Sequence, residues 1–147
     1  MDFKSGTPEK IHLPNSRLLF IKSTELTDPY KSWDQLIQYI NESRLKQCGG
    51  HRIIHFDDEE ILVGINIIGF PEDAKSQGIE WIDFDKSIVT KTPIHGVLSH
   101  MTELTHFIKE FFKGSSGSTR RVVLCFGDGR PESSCEKHSW WFEHWKN

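Results

Sequence analysis

Near the end of the 147-residue chain, Ser139-Trp140-Trp141-Phe142-Glu143-His144-Trp145 is the stretch richest in chemistry. Alternate residues of an extended segment share a face, so Trp141, Glu143 and Trp145 would point the same way. A carboxylate between two indoles suits an organic cation. The carboxylate supplies charge, and each ring supplies cation–π attraction of roughly 0.5–2 kcal/mol, depending on desolvation. The competing arrangement is an edge strand with its Trp residues packed inward and Glu143 in water. His51, His55 and Asp57 share one face of an earlier strand. They could form a pocket wall or an acid–base pair, because His titrates near neutrality. A solvated strand face is the expected account of them.

Other chemistries find less support. Zinc needs four ligands, usually in pairs. Cys135 and His138 make one pair, and the cluster His95, His100 and His106 supplies no second. No metal and no cofactor is therefore expected. Cys125 lies in an apolar strand, where a thiol is buried and inert. No Ser stands in a G-x-S-x-G elbow. Glu143, Tyr30, Glu80 and Asp83 are the candidates for hydrolysis, but nothing in their spacing makes them converge. A binding module rather than an enzyme is expected, with no catalytic residue assigned.

The elements that must position these residues follow from hydrophobic periodicity. A short strand is predicted around Lys10–Leu13, and the apolar run Arg17–Lys22 reads as a buried strand. Asp28-Pro29 has the form of a helix start, with a capping carboxylate and Pro at the first position. Trp33, Leu36, Ile37 and Ile40 then follow at i, i+3, i+4, i+7, one helix face, until Gly49-Gly50. His51–Asp58 and Ile61–Ile68 form a predicted hairpin. Gly78–Asp85 alternates as a strand with one mostly buried face.

The second half repeats this order. Ser87–Thr90 stands where Arg17–Phe20 stood, and Leu104, Phe107, Ile108 and Phe111 give a second helical face. Gly114–Ser118 closes that helix, Arg121–Asp128 matches His51–Asp58 in character, and a last strand runs from Lys137 to Trp145. The offset of about 70 residues is too long for a solenoid and suits a duplicated supersecondary unit. The expected fold is α+β: a duplicated βαββ unit, one antiparallel sheet with two helices packed on one face. One domain spans 1–147, with halves of about 10–70 and 78–147.

Composition bounds the partners. A formal net charge of −3 argues against a nucleic-acid grip, which needs a basic surface. The one basic pair, Arg120-Arg121, is expected at a solvated strand entry. The N-terminus has no apolar run of the signal-peptide kind, and no stretch approaches the roughly 20 apolar residues of a membrane span. Three Cys at wide spacings suggest reduced thiols and a cytoplasmic location. Five Trp and ten Phe exceed what a small core needs, so some could line a pocket.

This layout resembles the GyrI-like effector-binding domain, also called the SOUL/GyrI or Rob-type small-molecule-binding fold. In that family the first strand of a βαββ unit runs into a Gly-Pro-Tyr turn. The matching stretch here is Lys22-Ser23-Thr24-Glu25-Leu26-Thr27-Asp28-Pro29-Tyr30, with Asp28 in place of Gly. Trp33 and Leu36 stand at the helix's aromatic and leucine positions, and Phe56-Asp57-Asp58 is similar to the aromatic-Asp-Asp-Pro strand end without the Pro. The resemblance covers nearly the whole chain and lacks any DNA-binding segment. It implies a stand-alone small-molecule binder, a gyrase-inhibitor-like protein that blocks a protein partner, or a hydrolase. Multidrug-binding members carry a buried Glu in the strand that reads Val123-Leu124-Cys125-Phe126 here, and this chain has no acid there. The expected ligand is flat and apolar, with an aromatic cation among the candidates, in a pocket between the sheet and the two helices. Its expected contacts are Tyr30, Trp33, Phe56, Trp81, Trp141 and Glu143.

Overall fold

The computed structural model describes residues 4–23, 29–49, 51–57, 60–95, 110, 119–126 and 138–145. The described strands are β1 (Lys4–Ser5), β2 (Glu9–Leu13), β3 (Ser16–Ser23), β4 (Lys46–Gln47), β5 (His51–Asp57), β6 (Glu60–Ile68), β7 (Glu80–Phe84), β8 (Ser87–His95), β9 (Thr119–Phe126) and β10 (His138–Trp145). Helix α1 spans Pro29–Glu42, and a 3-10 turn spans Ala74–Gln77.

All ten strands join one antiparallel sheet in the order β1-β8-β10-β9-β5-β6-β3-β7, with β2 also on β8 and β4 also on β6. Outward from the β5–β9 seam the order is β6, β3 on one side and β10, β8 on the other. The second predicted helix lies outside the described residues, apart from Glu110. So does Asp28, the expected cap of α1.

Helix α1 begins with Pro29, whose missing N–H costs nothing at the first helical position. Trp33, Leu36, Tyr39 and Ile40 are buried against β3 and β6. The helix ends at Glu42, not at Gly49-Gly50. Arg44 takes the left-handed conformation (φ 59°), while Leu45 N donates to Ile40 O at 3.1 Å and Arg44 N to Asn41 O at 3.4 Å. These two bonds satisfy the carbonyls of Ile40 and Asn41, and Leu45 packs onto the core. The freed chain then adds β4 beside β6.

Strand β3 buries both faces: Leu19 joins the core under α1, and Leu18 and Phe20 join a second core on the other side. That explains its unbroken apolar run. Strand β7 ends the sheet order, so its centre is open on both faces: Trp81 on one is 37% and Ile82 on the other 40% accessible.

The sheet is strongly curled. Strands β7 and β9 are separated by β3, β6 and β5, on the order of 19 Å in a flat sheet. Yet the Phe84 ring of β7 lies 5.0 Å from His55 of β5, and the Arg121 guanidinium of β9 lies 4.9 Å from Phe84. The side facing away from α1 is therefore concave.

Candidate functional site

Antiparallel register aligns residues in rows across this concave face. One row reads Lys22, Leu62, His55, Arg121, Glu143, Lys91, Glu9 across β3, β6, β5, β9, β10, β8 and β2. The next reads Phe20, Gly64, Ile53, Val123, Trp141, Pro93. A charged row thus lies beside an apolar row, and Glu143 and Trp141 meet at their boundary.

Three members of the charged row are almost wholly buried: His55 at 2%, Arg121 at 3% and Glu143 at 3% accessibility. Arg121 Nε donates to His55 Nδ1 at 3.2 Å, and its Nη1 lies 4.0 Å from Glu143 Oε1. Trp141 Nε1 donates to Glu143 Oε2 at 2.9 Å, which fixes the carboxylate against the indole. Around this base stands a half-buried rim. His51 meets the Trp141 ring edge-on at 5.3 Å, and the Lys91 ammonium lies 4.2 Å from the centre of the same ring.

The electrostatics follow from burial. Desolvation, with a smaller push from Arg121, holds His55 down from 6.5 to about 3. Its Nδ1 accepts from Arg121, so the ring is neutral with its proton on Nε2. Desolvation also lowers Arg121 to about 10, opposed by Glu143. His51 is lowered by burial and by Lys91, against an upward pull from Glu143.

The His55 shift sets an acid limit. Its folded pKa lies below its unfolded value, so its contribution is fully present above pH 6.5. That contribution is lost as pH falls from 6.5 toward about 3, where the unfolded chain binds a proton that the folded chain refuses. Urea midpoints at pH 7, 5.5 and 4.5 will fall more steeply for the protein than for His55→Asn, which keeps an acceptor for Arg121. Parallel curves would remove His55 as the cause.

The six residues expected to line one pocket occupy three places. Trp141 and Glu143 are together on the concave face. Trp33 is wholly buried under α1, with Tyr30 edge-on at 5.6 Å, and Phe56 packs on that same core. Trp81 sits on the open β7 edge, against Phe70 and 4.7 Å from the Arg17 guanidinium, which Asp83 and Gly69 O hold.

Three expectations need correction. Strand β10 is interior, paired with β8 and β9, so Glu143 is not in water. Arg121 does not mark a solvated strand entry, and His55 is not on a solvated face. Arg121 and Lys91 were missed as site residues. The signal was available in part: Arg121 shares its strand parity with Val123, an inward position. Of the hydrolysis candidates, Glu80 pairs with Lys22 and Asp83 with Arg17 at the β7 edge, apart from Glu143.

No protein-family model matches the sequence, and no curated protein matches it significantly. Solved structures match over nearly its full length. The C-terminal domain of EcmrR has a TM-score of 0.58 at 10% identity, covering 99% of this chain and 98% of that one. SAV2435 bound to tetraphenylphosphonium has 0.56 at 14%, covering 97% and 95%. A hydrolase from Listeria innocua has 0.51 at 10%, covering 93% and 90%. This chain has the GyrI-like fold. At such identities the likeness is one of fold. Within the GyrI-like frame, β9 carries Arg121 and no acid, and the buried carboxylate stands directly opposite it on β10.

Proposed function

We propose that this domain binds a small, apolar organic cation on its concave face, against the Trp141 ring and beside Glu143. The observation that carries the reading is the buried Glu143 carboxylate, pinned by the Trp141 indole N–H under a half-buried rim. A cation on that ring gains both the ring's quadrupole and a partly desolvated negative charge. Arg121, directly across on β9, balances Glu143, so the carboxylate can stay buried. The fold supports the reading, since SAV2435 was solved with an organic cation bound. Trp33, Tyr30 and Phe56 then act as core that holds the sheet in shape. The exposed free thiol of Cys48 fits a reducing compartment, and we place the domain in the cytoplasm.

The test is thermal unfolding with tetraphenylphosphonium and with tetraphenylborate, its anion of the same shape. A ligand at 100 times its Kd adds about 2.7 kcal/mol of stability. The phosphonium will raise the melting temperature and the borate will not. Glu143→Gln and Trp141→Ala, each confirmed to unfold cooperatively, will lose the rise. Equal rises with both ions, or a rise that survives both substitutions, would refute the site.

A further inference from the structure

The ring face assigned to a ligand already has a cation on it. Lys91 stands directly across from Glu143 on β8, and its ammonium lies 4.2 Å from the centre of the Trp141 ring. Lys91 is half-buried against that ring. We propose that Lys91 is a built-in competitor for the cation seat, and that ligands bind by exchanging their cation for its ammonium. This rests on the reading of Trp141 and Glu143 given above.

The geometry also supplies a place for the displaced side chain. Glu9 of β2 is the cross-strand neighbour of Lys91 on the side away from Glu143. Opposite charges directly across an antiparallel pair attract, so Lys91 can swing from Trp141 toward Glu9. The seat then passes to the ligand without leaving a bare ammonium in the site.

Exchange imposes a selectivity. A primary ammonium ligand replaces one strongly hydrated ammonium with another and gains little. A bulky cation with delocalised or shielded charge is weakly hydrated, loses less on leaving water, and covers more of the ring. The site therefore selects quaternary, phosphonium or planar heteroaromatic cations over primary amines of similar size.

The experiment is titration of intact protein with tetraphenylphosphonium, read by tryptophan fluorescence and calorimetry. The variants are Lys91→Met, Lys91→Arg and Lys86→Met, the last removing an exposed cation on the β7–β8 loop. Lys91→Met will tighten binding roughly tenfold, the scale of one lost cation–π competitor. Lys91→Arg, whose guanidinium is more weakly hydrated and stacks better on the ring, will weaken binding, and Lys86→Met will bind as the unmodified protein does. Lys91→Met also narrows the preference for the phosphonium over a primary arylalkylamine. Unchanged or weaker binding by Lys91→Met overturns the exchange and leaves the cation site standing. Equal tightening by Lys86→Met or Lys91→Arg overturns it too, because a general charge or size effect would then explain the gain. Absence of binding by every variant removes the site and the exchange together.

Discussion

Arg121→Ala will destabilise the protein by about 3–5 kcal/mol, the usual cost of breaking a buried ion pair on one side. Glu143 keeps 3% of its surface and would lose the cation that balances it. The loss arises mainly from a stranded carboxylate, since the Arg121–Glu143 separation of 4.0 Å is long for a direct hydrogen bond. His55 loses its Nε donor at the same time, and Phe84 loses the guanidinium packed 4.9 Å from its ring. Replacing both partners behaves differently. Arg121→Met with Glu143→Leu keeps the volume and removes both charges, an exchange that is often neutral or stabilising. Urea denaturation at pH 7 measures both. A single variant within about 1 kcal/mol of the parent would mean that water reaches the pair, as for an exposed ion pair.

Trp33→Ala will cost a similar amount, about 3–5 kcal/mol, for a different reason. Trp33 has no accessible surface and sits where α1 crosses β6, so truncation leaves a cavity that a helix on a sheet cannot readily close. Its Nε1 also donates to Gly64 O at 3.1 Å, and truncation leaves that buried carbonyl without the bond. Gly64 is fixed from the opposite face of the sheet as well. A Cβ there would lie 2.6 Å from Leu19 O and 2.7 Å from Leu18 Cδ1, so the strand can lie this close only without a side chain. The urea midpoint checks the prediction. Retention of nearly full stability by Trp33→Ala would place Trp33 in an open pocket and return it to the ligand contacts.

Much of the framework was legible because periodicity reports burial. Trp33, Leu36 and Ile40 marked the buried face of α1, and the run from Leu18 to Ile21 marked a strand covered on both sides. The parity of Trp141 and Glu143 in β10 placed them on one face correctly. Local signals failed where a non-local partner decides. The end of α1 depends on Arg44 adopting a left-handed conformation, rare for a residue with a side chain, so no Gly announced it. The depth of His55 and Arg121 depends on sheet curvature, which brings Phe84 over them from three and four strands away. No single segment encodes that contact. The sheet itself separates Trp33 from Trp141, and spacing along the chain does not say which side of the sheet an aromatic serves. Trp81 is exposed because strand order, not alternation, makes β7 an edge.

The most direct measurement is the indole N–H spectrum of nitrogen-labelled protein during titration with tetraphenylphosphonium. Trp141→Phe and Trp33→Phe identify the two signals that matter. The Trp141 signal, whose N–H donates to Glu143, will shift saturably with ligand, while the Trp33 signal stays in place. A saturable shift of Trp33 with Trp141 unmoved would put the ligand on the helix side of the sheet and contradict the concave-face site.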